Sequence, residues 1–189
     1  MTILGALMGF LLLSGAMGIS PSPALAPRMP VSPTHVVTLT AYNAVPEQTD
    51  SDPLVTASGA FSNPEIVAAR SRDLASELPF GTIIEIVGPS VSHNSCGYDI
   101  VAPIIGYRVI ADTMNARYTS RIDVLFDTES NYSLANGNVK NAGVILGICD
   151  GVSIRVVGRI DVKNMHRLPK TQKELAALIG GDKNILALK

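Results

Sequence analysis

At 189 residues, with 15 Lys and Arg against 16 Asp and Glu, the chain carries a formal net charge of −1. It therefore lacks the basic field that marks nucleic-acid binding, and no nucleic-acid partner is expected. The absence of Trp, with 16 glycines and 12 prolines, favours short strands and turns over long helices.

Residues 1–26 read as a signal peptide or an N-terminal anchor. Thr2 to Ile19 is apolar and glycine-rich, and Pro21 to Ala26 closes on an Ala-x-Ala pattern of the kind signal peptidase cuts. No Lys or Arg precedes the apolar run, and Pro27 follows the cut point, so a retained anchor competes with cleavage. The run is short and glycine-interrupted for a stable span. Export to the periplasm, cell envelope or medium is the expectation, with membrane contact only through this segment if it is retained. Roughly 160 residues then remain, which suits one monomeric domain with a buried core.

Residues 27–34 form a Pro-rich linker. His35 to Tyr42 then alternates apolar and small polar residues, as a half-buried strand does. Residues 43–63 make a long irregular stretch holding Asp50, Asp52, Thr56 and Ser58; in a compact domain such a loop is functional or disordered. Asp50-Ser-Asp52 lacks EF-hand spacing and reads as a solvated loop rather than a calcium site. A short strand at 66–69, one or two helical turns within 71–78 and a Pro79-Phe-Gly81 turn lead into a strand at 82–87. Residues 88–103 are loop-rich. Strands follow at 107–111, 121–126 and 152–162, with the apolar stretch 143–148 as a weaker element before the last.

Thr171-Gln-Lys-Glu174 fits a capping box, Leu175, Leu178 and Ile179 share one helical face, and Gly180-Gly181 ends that helix. The pattern is mainly β: a small barrel of six or seven short strands over 35–165, with a helical tail at 166–189.

Cys96 and Cys149 are the two cysteines. In an exported protein an even count suggests a disulfide, contributing about 4 kcal/mol in the chain-entropy model. Without CxxC spacing, and with only His35, His93 and His166 scattered in polar sequence, a zinc site is not expected, nor any other metal or cofactor. Cys149 beside Asp150 imitates a nucleophile, but no His lies near it in sequence.

The stretch from Asp112 to Phe126 carries most of the functional information. Asp112 directly follows the apolar run Tyr107 to Ala111, a polar loop comes next, and Asp123 lies within a second apolar run, Arg121 to Phe126. Two strands joined by a loop bring such acids to one end of a sheet, where a carboxyl pair can divide acid and base roles. Desolvation among Ile122, Val124 and Leu125 would raise a carboxyl pKa. The competing reading makes Asp112 a turn cap and Asp123 a salt-bridged strand residue.

Five fragments in order, Thr40-Ala-Tyr42, Val67-Ala-Ala-Arg-Ser-Arg-Asp73, Leu78-Pro-Phe-Gly-Thr82, Val109-Ile-Ala-Asp112-Thr-Met-Asn and Arg121-Ile-Asp123-Val-Leu-Phe, resemble the 3D domain, named for three aspartates. The resemblance covers roughly residues 38–162. That domain is a six-stranded double-psi β-barrel, shared with the membrane-bound lytic transglycosylase A family, stationary-phase survival proteins of spore-formers and some resuscitation-promoting factors. Rare lipoprotein A and the expansins use a similar barrel with a Leu-Pro-x-Gly-Thr turn. By position, Asp73, Asp112 and Asp123 match the three aspartates, Asp123 falling where the transglycosylases keep their single catalytic acid. The resemblance implies peptidoglycan glycan strands as the substrate, cut at the MurNAc–GlcNAc bond. Asp123 would be general acid then base, and Asp112 its partner.

Asp73, Tyr42, Thr113, Tyr118 and Arg121 are then expected to contact glycan. Either tyrosine could instead fill the core, and Arg121 could instead pair with Asp112 or Asp127. The family's Asp-Thr-Gly-Gly is replaced here by Asp112-Thr-Met-Asn-Ala-Arg-Tyr118, which would narrow the groove. A non-catalytic glycan-binding module of the same fold is the alternative, and an envelope scaffold docking a partner through the 171–179 helix is a third reading.

Overall fold

The computed structural model describes residues 34–49, 52–90, 96–162 and 168–181. The leader, the linker up to residue 33, Asp50, His93 and His166 lie outside the described residues.

Six strands close a barrel: β1 (Thr34–Asn43), β2 (Val67–Arg70), β3 (Thr82–Val87), β4 (Tyr107–Thr113), β5 (Arg121–Phe126) and, after a separate hairpin of β6 (Asn131–Ser133) and β7 (Val139–Asn141), β8 (Cys149–Arg159). Around the barrel the order is β1-β5-β2-β4-β3-β8. The β1–β5 and β2–β4 pairs are parallel, and the other neighbours are antiparallel. Exchanging β1 with β4, β2 with β5 and β3 with β8 maps this order onto itself and preserves the sense of every pairing. Two interlocked halves related in this way are the double-psi arrangement, so the expected fold class holds.

Strand alternation separates the two faces of the wall. Leu39, Ala68, Ile84, Ile110, Ile122, Val124 and Ile154, together drawn from all six strands, fill the barrel interior. Tyr42, Val67, Ala69, Val109 and Leu125 face outward into a second apolar layer. The helix α3 (Gln172–Gly181) closes part of that layer, burying Leu175 completely, while Leu178 stays 38% exposed. Thr171 caps it by accepting from the Glu174 amide at 3.2 Å. Gln172 ties the helix to β4, its amide group donating to Tyr107 O and accepting from Tyr107 N. Its apolar face is therefore largely spent on the barrel.

Two other helices depart from the sequence expectation. The loop-rich stretch before residue 103 contains the start of α1 (Tyr98–Ile105), which carries Pro103 inside it. The apolar stretch 143–148 is mostly the one-turn helix α2 (Ala142–Leu146), where the Asn141 side chain caps the Gly143 amide. Cys96 and Cys149 form the expected disulfide, joining the approach to α1 with the start of β8. The last strand begins at that bond, earlier than expected, and ends at Arg159.

Arg108 is fully buried and carries no sequence signal. Its guanidinium donates to the carbonyls of Ile104 and Ile105 at the end of α1, and to those of Pro64, Val67 and Leu125. A cation thus satisfies the last carbonyls of α1 and pins three other segments around it.

Candidate functional site

Asp112 and Asp123 come together on the outer face of the barrel. In β5, Ile122 and Val124 point inward, so Asp123 points out. In β4 strict alternation would turn Asp112 inward with Ile110. A register shift prevents this: Ala68 pairs with Ile110, but Ala69 pairs with Asp112, skipping Ala111. A bulge of this kind re-aims one side chain. Ala69 also pairs with Asp123 on its other side, so both acids flank one alanine across three adjacent strands. Their Cα positions lie roughly 9–10 Å apart, two strand spacings.

Residues 52–66 fasten over this bulge. A tight turn at Thr56–Ala60, closed by Thr56 N to Ala60 O at 2.8 Å, presents two amides to β4. Ser58 N donates to the Ala111 carbonyl at 3.1 Å, and Ala57 N donates to Asp112 Oδ1 at 2.9 Å. Thr113 N donates to the same oxygen at 2.8 Å, and the Tyr42 hydroxyl donates to Oδ2 at 2.8 Å. Burial, then the neighbouring Asp112 carboxyl, pushes the Tyr42 hydroxyl pKa far up, so it stays a donor.

Asp123 is held differently. It accepts a single hydrogen bond, from Thr40 Oγ1 at 2.7 Å across the parallel β1–β5 pair. Burial pushes its pKa up to about 6, with the Asp112 charge adding to the rise; the Thr40 hydrogen bond and the Arg121 charge oppose it. Asp123 has the lighter hydrogen bonding of the two acids, and its raised pKa gives it access to a proton near neutral pH.

A cleft of about 570 Å³ opens over the pair. Its floor is Ala69, Asp112 and Asp123; Glu47, Gln48 and Thr49 from the long loop form one side, and Thr113, Arg117 and Tyr118 form another. Of the expected site residues, Tyr42, Asp112, Thr113, Tyr118 and Asp123 line this cleft, whereas Asp73 and Arg121 do not. Asp73 is exposed, and its Oδ2 accepts the Ser120 amide at 2.8 Å. That bond braces Ser120, which has a left-handed φ of 49°, at the turn into β5. Hydrogen bonds from Ser71 and Ser120 hold the Asp73 carboxyl below its usual range. Arg121 places its guanidinium 4.8 Å from the Tyr118 ring centre; no described carboxylate, Asp112 and Asp127 included, lies within ion-pair distance of it.

The chain matches no protein-family model and no curated protein. Among solved structures it is similar to a point mutant of an expansin from Clavibacter michiganensis in complex with cellohexaose, at 16% identity and a TM-score of 0.34. The match covers 66% of this chain and 50% of the expansin, so the chain spans about half the length of that protein. The double-psi description rests on the strand pairings above.

Sequence reading missed Thr40 as the partner of Asp123, Ala57 and Ser58 as the clasp on β4, and Arg72 and Arg117 in the cleft wall. The Thr40 position was legible only through the parallel β1–β5 register, which no local pattern encodes. The 78–82 turn was legible. Gly81 has φ +88°, and a Cβ there would meet the Ile160 carbonyl oxygen at 2.0 Å, so only glycine fits.

Proposed function

We propose that the cleft binds glycan strands of the cell wall and cuts them as a lytic transglycosylase, at the MurNAc–GlcNAc bond. The observation that carries this reading is Asp123: a carboxyl with a pKa near 6 on the floor of a polar cleft, beside a second carboxyl that three donors hold in place. Glycosidic cleavage needs a protonated acid to give its proton to the leaving oxygen, and a pKa near working pH suits that task. The same carboxylate then takes the proton of the MurNAc C6 hydroxyl as that oxygen attacks C1, giving a 1,6-anhydro end. One acid serves both steps because no water has to be activated. Asp112, held by its three donors, faces the developing oxocarbenium-like transition state and stabilises it, and it adds to the rise that burial gives the Asp123 pKa. The resemblance to the 3D domain supports this assignment, and the disulfide fits an exported protein.

A second reading, a non-catalytic glycan-binding module, is favoured by the polar lining of the cleft, where Gln48, Thr49, Ser62 and Asn115 offer donors and acceptors for sugar hydroxyls. The test incubates purified peptidoglycan with the protein and with Asp123→Asn, following both sedimentation with the wall and release of soluble muropeptides. Cleavage predicts release by the unmodified protein and binding without release by the variant. Binding without release by either makes the protein a binding module.

A further inference from the structure

We propose that Arg72 and Arg117, which line the cleft with Tyr118, form a carboxylate subsite, so that the cleft takes an anionic glycan in preference to a neutral one. The proposal rests on the glycan reading above and names the class of glycan.

Arg72 and Arg117 line the cleft together with Tyr118. The guanidinium carbons of Arg117 and Arg121 each lie 4.8 Å from the Tyr118 ring centre, and Arg117 Nη2 donates to the Tyr118 hydroxyl at 2.8 Å. Ring and guanidinium thus order one another, an arrangement that leaves arginine donors free for a ligand. No carboxylate of the described residues lies within ion-pair distance of these three arginines; the ion pair among the described residues joins Arg155 and Glu85 elsewhere. Asp73, adjacent to Arg72 in sequence, commits Oδ2 to the Ser120 amide.

The cleft lining carries Glu47, Asp112 and Asp123 as well as Arg72 and Arg117. A carboxylate-bearing chain would be repelled from the acids and drawn to the two arginines. A planar guanidinium grips a carboxylate through paired hydrogen bonds, and a neutral sugar offers it nothing equivalent. Arg117 falls in the stretch where the chain departs from Asp-Thr-Gly-Gly.

The test is calorimetric titration of full-length Asp123→Asn, which removes turnover, with three soluble probes. These are chito-oligosaccharide, a GlcNAc–MurNAc oligosaccharide with free lactyl carboxylates, and oligogalacturonate. A carboxylated probe is expected to bind roughly tenfold tighter than the neutral one, with the advantage shrinking as salt is added. Adding Arg72→Gln and Arg117→Gln should erase that advantage, so that carboxylated and neutral probes bind with equal affinity; Arg117→Lys should restore part of it. Preference for the lactyl probe places the recognised carboxylate on a substituent, and preference for oligogalacturonate places it on the ring. Equal affinity for neutral and carboxylated probes overturns the subsite while the glycan cleft stands. Binding of none of them overturns both.

Discussion

Replacing Asp123 by Asn should make the protein more stable at neutral pH. Asp123 titrates near 3.8 when unperturbed and near 6 in the folded protein, where burial outweighs the Thr40 hydrogen bond and the Arg121 charge. Between those values the folded protein keeps a proton that the unfolded chain has released. The contribution of this group to stability is therefore fully present below the lower value and is lost as pH rises through the upper one. Two pK units at 1.36 kcal/mol each set a ceiling near 3 kcal/mol, and the residual exposure of the side chain lowers it to about 2 kcal/mol. Asn still accepts from Thr40 but carries no charge. Urea denaturation near pH 7.5 should find the variant about 2 kcal/mol more stable, the gain vanishing toward pH 4. An equal difference at both pH values, or a variant less stable near pH 7.5, would refute the desolvation argument.

Thr40→Val removes the one hydrogen bond that lowers the Asp123 pKa, so that pKa should rise by about one unit or more in a carboxyl carbon NMR titration. The alkaline limb of any cleavage-rate profile should move up with it. Arg108→Met strands five carbonyls, three of them in buried hydrogen bonds, and should cost about 3 kcal/mol or more in urea denaturation, with m unchanged. Cys96→Ser with Cys149→Ser should lower stability by about 2–4 kcal/mol without moving the Asp123 titration, since the disulfide belongs to the α1–β8 junction.

The strands at 82–87 and 121–126 were legible to the residue, because both are apolar runs closed by turn residues. The helices α1 and α2 were not. One carries Pro103, and the other is a single turn whose apolar Val144-Ile-Leu146 is as compatible with a strand as with a helix. The acid pair was legible as spacing, but not the way its members meet. That depends on the bulge at Ala111, the long-range parallel register that puts Thr40 beside Asp123, and the clasp from Ala57 and Ser58. Each of these is a contact between segments far apart in the chain. Asp73, a motif position expected to contact glycan, lies outside the cleft lining, and its carboxylate braces a left-handed serine.

The most direct measurement of the central claim is mass spectrometry of the sugar ends left in peptidoglycan after incubation with the protein. If Asp123 serves as sole acid and base with no water activated, the products carry 1,6-anhydro ends, lighter by one water, and Asp123→Asn yields none. Reducing ends, or anhydro ends that persist in Asp123→Asn, would contradict the account.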